Sequence, residues 1–424
     1  MFRITGPALR VPGALLATAV ALAAAGCGDK SDNASGSGGG SSSPTTTAAA
    51  KPAGTPFKVM VDSVTGSPIA SFPGVYGAAK AAAKAVNDGG GVNGHPIEIV
   101  TCNNQLTPNG AAACGRKAVS EKVAAYAGFE AQGPQIYPLL KKAGIPSVNM
   151  VQSPADAAAP LHYPISSAGV SEEIGLAFAA AKAGAKTAAL VLLQFPGYEA
   201  IVDEVKAGAA AAGVNLSKVI SIPATQNTYD SVVANAKGAK TDAVLLSLGP
   251  AQTLSMLKAA QAVAFRPKWV TYAGALQPEQ VKQLGQMTPD LQLTSGVPPA
   301  DASSFAGIKT MNAELDAAGK AGVSDTGAGD RSEGAIDTWL QIHALADVAK
   351  GIKGDITAAS LLRAIQASAP IKLYDITTWD PASQGPKPYP SLRDGGAVYF
   401  GPVKDGTFQP AAEPLKVFDA LKLQ

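Results

Sequence analysis

The sequence has few charged residues and no concentration of either sign. Only 16% of its 424 residues are Asp, Glu, Lys or Arg, and 34 cationic residues stand against 32 acidic ones. No basic stretch alternates with aromatic residues, which is the pattern that binds phosphate backbones. A nucleic-acid partner is therefore not expected. The hydrophobic residues, 46% of the chain, suffice for a sizeable core in two or three domains.

Residues that support catalysis are also scarce. The chain has three histidines, His95, His162 and His343, and a structural role is the simplest interpretation of each. Motifs of the G-x-S-x-G, H-E-x-x-H and G-x-x-x-x-G-K kinds are missing from the sequence. The adjacent Glu172 and Glu173 fall at a predicted helix start, where the helix dipole accounts for them. We expect a protein without enzymatic activity, cofactor or metal, with a secreted α/β hydrolase as the alternative.

The one long apolar run lies near the N-terminus. Residues 11–26 are apolar, follow the basic Arg3 and Arg10, and end directly before Cys27. A short basic segment followed by such a run is typical of an export signal. The run is too short to span a membrane comfortably. We therefore interpret residues 1–26 as a cleaved signal peptide.

The residues around the expected cleavage point resemble the lipobox of bacterial lipoproteins. Small residues precede Cys27, although Ala24 takes the place of the usual large aliphatic residue. The resemblance implies that Cys27 is diacylated and becomes the mature N-terminus, and two acyl chains hold a protein at a membrane more firmly than one. Plain secretion with cleavage near the same place is the alternative.

Residues 27–56 have the composition of a linker. From residue 28 to residue 56 the chain has no large aliphatic or aromatic side chain, so this segment cannot offset the entropy of ordering itself. A Gly/Ser-rich coil of this length has an end-to-end distance of roughly 30 Å. We expect a flexible tether between a lipid-anchored Cys27 and a folded body.

Two cysteines remain for the folded body, Cys102 and Cys114. An even pair in an oxidising compartment favours a disulfide. A metal site is the competing use, but the C-x11-C spacing with only His95 nearby lacks the ligand pattern of zinc folds.

From residue 57 onwards, short β-rich runs alternate with Ala-rich helical stretches, a pattern typical of α/β proteins with parallel sheets. Residues 275–370 are mostly helical in pattern, and Lys404-Asp405-Gly406 lies between two β-like runs as in a hairpin. Two series of four strands predict two sheets. They are residues 57–64, 96–103, 122–129 and 145–151, and then residues 187–194, 217–223, 241–248 and 267–274.

Residues 87–114 and 127–149 resemble type I periplasmic solute-binding proteins of the leucine/isoleucine/valine-binding family. The matching features are a glycine-rich helix-to-strand turn at Gly89–Gly94, Pro108 at a helix start and Ile145-Pro146 before a strand. The resemblance implies two doubly wound α/β lobes with parallel sheets, joined by a three-strand hinge. By analogy, lobe one holds residues 57–168 and 275–370, and lobe two holds residues 169–274 and 371–424.

The family binds its solute where strand ends of the two lobes converge, and its contacts can be carried over loop by loop. For Phe72, one of these candidate contacts, the alternative is a hydrophobic staple that packs on its own helix. An anionic Glu130 would repel a ligand carboxylate, and the second-lobe loops that should hold an acid lack one, so a leucine-type specificity is not carried over. The candidate ligand-binding residues are Ser71, Phe72, Glu130, Ala131, Gln132, Gln152 and Ser153 in lobe one, and Phe195, Tyr198, Asn227, Tyr229 and Gly274 in lobe two.

Together these features predict an extracytoplasmic, lipid-anchored monomer of a bacterial cell surface. It would capture a small polar or amphipathic solute and deliver it to an ABC permease. A ligand sensor that reports occupancy without transport would use the same clamshell and is the alternative from another functional class.

Overall fold

The computed structural model describes residues 52–67, 70–129, 133–151, 154–195, 197–276 and 278–423. The predicted signal peptide, Cys27 and almost all of the predicted tether lie outside the described residues. In the described ranges, none of the helices is both long enough and apolar enough to cross a bilayer.

The first sheet has three parallel strands, which match the first three predicted ones. They are β1 (Phe57–Ser63), β2 (Ile97–Asn103) and β3 (Ala125–Gly128), arranged in the order β2-β1-β3. The central strand β1 is buried along nearly its whole length, as is usual for a parallel strand with helices on both faces of its sheet.

The fourth predicted strand, residues 145–151, runs beside β3 without becoming a regular strand. The Tyr126 amide donates to the Pro146 carbonyl at 2.9 Å, and the Val148 amide donates to the Tyr126 carbonyl at 2.8 Å. Because Pro146 has no N–H group, it cannot contribute the next bond of a parallel ladder. The pairing is reduced to an isolated bridge between Tyr126 and Ser147.

Three long helices enclose the core of the first sheet. The alanines of α1, among them Ala78, Ala79 and Ala82, are fully buried, and such small side chains let α1 pack closely against α11. The described helices are α1 (Gly74–Asp88), α2 (Pro108–Ser120), α3 (Gly133–Ala143), α4 (Pro154–Ala157), α5 (Ala168–Lys182), α6 (Tyr198–Ala212), α7 (Asp230–Gly238), α8 (Pro250–Ala262), α9 (Pro278–Gln283), α10 (Ala306–Lys320), α11 (Glu333–Ala349), α12 (Ala358–Gln366) and α13 (Val417–Ala420).

The predicted cysteine pair ties β2 to α2. The Cys102 and Cys114 sulfurs are bonded, which confirms the disulfide. Helix α2 begins at Pro108, and the Thr107 side chain caps it by accepting from the Gly110 amide at 3.0 Å. Proline at the first helical position and threonine at the N-cap are favoured for physical reasons that the sequence already shows.

The remaining strands form a second, larger sheet and a small hairpin. Strands β9 and β10 pair with each other, and β13 pairs with β11. The strands are β4 (Thr187–Gln194), β5 (Asn215–Pro223), β6 (Ala243–Ser247), β7 (Lys268–Tyr272), β8 (Leu291–Ser295), β9 (Ile371–Leu373), β10 (Thr377–Trp379), β11 (Ala397–Lys404), β12 (Thr407–Phe408) and β13 (Leu415–Lys416).

The second sheet confirms the four predicted strands of the second series, β4 to β7, and also contains β8, β11, β12 and β13. Its order is β12-β11-β8-β7-β6-β4-β5, in which β8 is parallel to β7 and β11 is antiparallel to β8. The sheet is therefore mixed, whereas purely parallel sheets were expected. Strand β8 lies in a region predicted to be mostly helical. Its five residues are buried between β7 and β11, so long-range pairing rather than local pattern decides its conformation.

The predicted hairpin at Lys404-Asp405-Gly406 is present. Lys404 pairs with Thr407 across a two-residue turn, and Asp405 and Gly406 have φ angles of 52° and 73°. Two successive residues with positive φ match the right-handed twist of the paired strands.

The chain passes between the cores of the two sheets three times. For description, we take lobe one as 57–168 plus 296–380 and lobe two as 169–295 plus 381–423, since β8 belongs to the larger sheet and β9 and β10 pack against the first core. The lobe bounds given by the resemblance stay a prediction. The first two crossings lie between Ile165 and Leu176 and between Leu293 and Val297. On β11, the Tyr399 side chain still packs in the first core, whereas that of Val403 packs in the core of the second sheet.

Candidate functional site

Two adjoining cavities lie between the lobes. Their volumes are about 710 Å³ and 170 Å³, and both are lined by Phe72, Gly274, Ser332 and Glu333. The lining residues follow β1 and β3 on one side and β6 and β7 on the other. The carboxyl ends of parallel strands from both sheets therefore face one cleft, which is the usual position of a ligand site in such folds.

Three of the predicted site residues line this cleft: Ser71, Phe72 and Gly274. The Phe72 ring lies 4.9 Å from the Phe129 ring, centroid to centroid. Its backbone carbonyl accepts from the Ser63 hydroxyl at 2.9 Å, which ties the loop to the end of β1. Phe72 thus forms a wall of the cleft with Phe129, and this contact favours the ligand-site interpretation over the staple.

Two glycines let the walls approach each other. A Cβ atom at Gly74 would lie 1.8 Å from the Asp330 carbonyl oxygen, and one at Gly334 would lie 2.9 Å from the Phe129 ring. Side chains at these positions would separate the start of α1 from the segment before α11 or displace the aromatic wall. The width of the cleft therefore depends on glycine at both positions.

Five predicted contacts fall outside the described residues. They are Glu130, Ala131 and Gln132 after β3, and Gln152 and Ser153 before α4. Their neighbours Phe129 and Met150 line the smaller cavity.

The predicted second-lobe contacts other than Gly274 do not line the two cavities in the described part of the chain. Phe195 is 44% exposed, Asn227 is exposed, and Tyr198 is half-buried against the core beside α6. Tyr229 requires correction. Its ring is 5% exposed and belongs to the core of the second sheet, so it is a packing residue and cannot reach a solute.

A pair of acidic residues missed as site residues lies on α5. Glu172 and Glu173 were attributed to the helix dipole, yet both are buried. The Glu173 carboxylate accepts from the Ser247 hydroxyl at 2.7 Å and from the Tyr272 hydroxyl. Burial raises the pKa of Glu173 to about 7. Both residues lie beyond the first turn of α5, where the helix-dipole effect has fallen off, so the dipole does not account for them.

Glu172 meets a second buried acid, Glu333, at the start of α11. The two carboxyl groups share a hydrogen bond, and burial raises the pKa of both, to about 7 for Glu333. The Glu333 Oε1 atom also accepts from the Gly296 amide at 2.6 Å. Two carboxyl groups that share a hydrogen bond need a proton between them.

Buried carboxylates also hold the chain where it crosses between the lobes. Asp337 accepts from the Ser166 hydroxyl at 2.8 Å, and Asp394 accepts from the Ser167 amide at 3.0 Å. Burial raises the pKa of Asp337 to about 6 and raises that of Asp394 as well. Together with the contact of Glu333 to Gly296, carboxylate contacts therefore lie at the first two crossings.

No pattern in the sequence predicts that Glu172 and Glu333 meet in the fold. Glu172 and Glu333 are far apart in the chain. Glu333 is the first residue of α11, where acids are common on exposed surfaces, whereas Glu172 lies beyond the first turn of α5. Their buried state depends on two helices meeting at the cleft.

In the larger cavity, the guanidinium of Arg331 already has side-chain partners within the protein. The Arg331 guanidinium donates to the Asn312 side-chain oxygen at 2.8 Å and pairs with Asp316. Asp301 and Asp330 line the same cavity. Across the described ranges, no cluster of three or more His, Cys, Asp or Glu side chains could hold a metal ion.

The comparisons agree with the sequence resemblance. A family model described as periplasmic binding protein matches residues 59–382. No curated protein sequence matches this chain.

Several solved structures share the fold. A fatty acid ABC transporter substrate-binding protein from Thermomonospora curvata is 15% identical, with a TM-score of 0.70 over 87% of this chain and 94% of that chain. A branched-chain amino acid ABC transporter protein from Thermus thermophilus with bound valine is 15% identical, with a TM-score of 0.70 over 85% and 97% of the two chains. An R. palustris solute-binding protein in complex with 4-hydroxybenzoate is 19% identical, with a TM-score of 0.69 over 85% and 97%. The TM-scores show that these proteins share the fold of this chain, although the sequence identities are low.

Proposed function

Because the chain belongs to the type I periplasmic binding proteins of the leucine/isoleucine/valine-binding kind, we propose that it is a solute-binding lipoprotein that delivers a small molecule to an ABC importer. Its family and structural neighbours are binding proteins rather than enzymes. The observation that carries the proposal is the cleft between the lobes, where Phe72, Gly274 and Glu333 from different elements line the same space.

Binding would act through closure of the two lobes around the solute. The three crossings leave the lobes free to rotate about one edge of the cleft, and closure removes the solute from water and changes the outer surface. A permease that recognises the closed surface would then accept only a loaded protein. The proposed partners are a small polar or amphipathic solute, the permease and, through Cys27, the membrane.

The solute contacts are proposed at three described residues, Ser71, Phe72 and Gly274, on the evidence of the cavity lining. The loops at 130–132 and 152–153 are proposed to complete the first-lobe side, since Phe129 and Met150 next to them line the smaller cavity. The mixed aromatic and acidic lining is unlike a cradle for a leucine zwitterion, so leucine specificity is not proposed.

Thermal unfolding in the presence of amino acids, amides, amines, aromatic acids and sugars tests the binding role. A bound solute at 100 times its Kd adds about 2.7 kcal/mol to the free energy of unfolding. Small-angle scattering should show contraction with the stabilising compound, because the lobes close. A protein that no compound of any class stabilises or contracts would contradict the proposal.

Phe72→Ala and Tyr198→Ala form a matched pair for locating the site. Removing the Phe72 ring should weaken binding of the stabilising compound about fivefold or more, because the ring forms a cleft wall. Tyr198→Ala should leave affinity unchanged but lower the free energy of unfolding by about 1–2 kcal/mol, because that ring packs beside the core. If Tyr198→Ala weakens binding and Phe72→Ala leaves affinity unchanged, the solute binds at the start of α6 instead.

A further inference from the structure

The smaller cavity combines acidic groups with an aromatic and aliphatic wall. Glu172 and Glu333 line it together with Phe72, Phe129 and Met150. Among its described lining residues there is no Lys, Arg or His. The described lining therefore offers two carboxyl groups and no cationic side chain, and an aromatic face favours a cation over an anion.

One carboxylate oxygen in this cavity lacks a partner. Glu172 is 6% exposed, and its Oε1 atom is buried without a hydrogen-bond partner among the described residues. Leaving a buried acceptor unsatisfied costs free energy that a donor could recover. The neighbouring Glu173 also has one oxygen, Oε2, without a partner among the described residues, but Glu173 does not line this cavity, and its Oε1 atom accepts from the Ser247 and Tyr272 hydroxyls.

Glu333 presents its second oxygen to the same space. Its Oε1 atom is occupied by the Gly296 amide at 2.6 Å, while a Cβ atom built on Gly274 would lie 3.5 Å from its Oε2 atom. Gly274 lines both cavities. The two carboxyl residues that line the smaller cavity therefore come from both lobes, Glu172 from lobe two and Glu333 from lobe one.

We propose that the solute carries a protonated amine or a related nitrogen cation, which donates hydrogen bonds to Glu172 and Glu333 while its apolar part lies against Phe72 and Phe129. The proposal rests on the proposed function, because it assumes that the cleft receives a solute. A cavity of about 150 Å³ can hold a benzene-sized group, so 170 Å³ accommodates a small amine, and the larger cavity can take a longer body.

Cation binding would displace the proton that the carboxyl pair shares. The proton passes to solvent as the ammonium N–H groups take over the hydrogen bonds, so affinity should increase as pH rises towards and beyond 7, where burial places the pKa of Glu333. The other titratable groups around the pair are Glu173 on α5, Tyr272 at the end of β7 and Asp337 on α11, with Asp330 and Arg331 just before α11.

Benzylamine is the probe, with benzyl alcohol and benzoate as neutral and anionic compounds of similar shape. Isothermal titration of the purified full-length protein should show binding of benzylamine at least about tenfold tighter than that of either control compound. Titration in two buffers of different ionisation enthalpy at pH 6.5 should show proton release, and the affinity should rise between pH 5.5 and pH 7.5.

Glu172→Gln removes the charge and keeps the shape of the side chain. We expect it to weaken benzylamine binding about tenfold or more, to abolish proton release and to leave benzyl alcohol binding unchanged. Glu204→Gln is the matched control, because Glu204 is also a buried glutamate with an unpartnered Oε1 among the described residues but does not line either cavity. It should bind benzylamine as the unsubstituted protein does.

The outcomes separate this inference from the proposed function. If benzoate or benzyl alcohol binds as tightly as benzylamine, or if Glu172→Gln binds benzylamine normally, the cation site is refuted while solute binding stands. If benzylamine fails to bind but a sugar or an aromatic acid stabilises and contracts the protein, the same conclusion holds. If no compound of any charge binds, the proposed function itself fails.

Discussion

Glu173 shows how a single buried side chain couples this protein to pH. Its carboxyl group lies in the interior, held by the Ser247 and Tyr272 hydroxyls, and burial raises its pKa to about 7 from an ordinary value of 4.5. The folded protein therefore binds a proton at this residue between about pH 4.5 and pH 7, where the unfolded chain has already lost it. Stability from this group is present below pH 4.5 and is lost as pH rises through 7.

We accordingly expect Glu173→Gln to flatten the pH dependence of stability. The free energy of unfolding, measured with urea, should fall less between pH 5 and pH 7.5 in Glu173→Gln than in the unsubstituted protein, because glutamine stays neutral throughout. Glu199→Gln, at an exposed position of α6, serves as the control and should leave the pH profile unchanged. An identical profile for Glu173→Gln would show that Glu173 is charged in the folded protein at both pH values.

At the scale of elements, the bond between β2 and α2 closes one strand–helix unit of lobe one. Cys102 and Cys114 are 12 residues apart, and Cys114 is fully buried on the helix face that packs towards the sheet. Cross-linking so short a loop restricts the unfolded chain, and in the chain-entropy model this contributes on the order of 3 kcal/mol. The bond therefore supports β2, which lies at the edge of its sheet.

Thiol labelling tests this bond directly. In the folded, oxidised protein both cysteines should resist maleimide labelling, and both should label after reduction. The double variant Cys102→Ala, Cys114→Ala should have a lower free energy of unfolding by about 2–4 kcal/mol. Complete labelling without reductant, or unchanged stability of the double variant, would contradict a stabilising disulfide.

The individual strands and helices also show which parts of the fold local sequence patterns could not predict. Strands β4 to β7 carry clear local patterns, and each was predicted close to its observed place. Helices α10 and α11 lie in the region 275–370 that was predicted to be mostly helical. Strand β8 has five residues and lies between β7 and β11, which are remote in sequence from each other. Its conformation follows from that pairing, so its local pattern could not predict it.

In the whole molecule, the two lobes would bind the solute, and the proposed lipid anchor would hold the protein at the membrane. The cleft requires both lobes, because its walls come from strand ends of both sheets and from the start of α11. Lipid at Cys27 would keep the folded body at the membrane, within reach of a permease, while the tether at 27–56 allows it to move there.

Cys27→Ser tests the anchor. The substitution should release the protein into the soluble fraction or leave an unprocessed precursor, because the acyl chains that hold it would be missing. Fractionation and mass determination of the mature protein are the measurements. Cys102→Ser, which affects the body and leaves the expected lipobox intact, is the control and should keep the acylated N-terminus. A Cys27→Ser protein that stays in the membrane at mature size would refute lipidation.

Local sequence patterns predict the α/β class, most of the strands and long helices, the disulfide and the family, because alternating β-rich and helical runs, proline and glycine positions and cysteine spacing act over a few residues. They also predict that Phe72 and Gly274 lie at the cleft, since loops after strands line clefts in this fold. The burial of Glu172, Glu173 and Glu333, the place of Tyr229 in the core and the strand conformation of β8 become visible in the folded structure alone. Each of these depends on contacts between segments far apart in the chain, and desolvation and long-range pairing arise only when such segments meet.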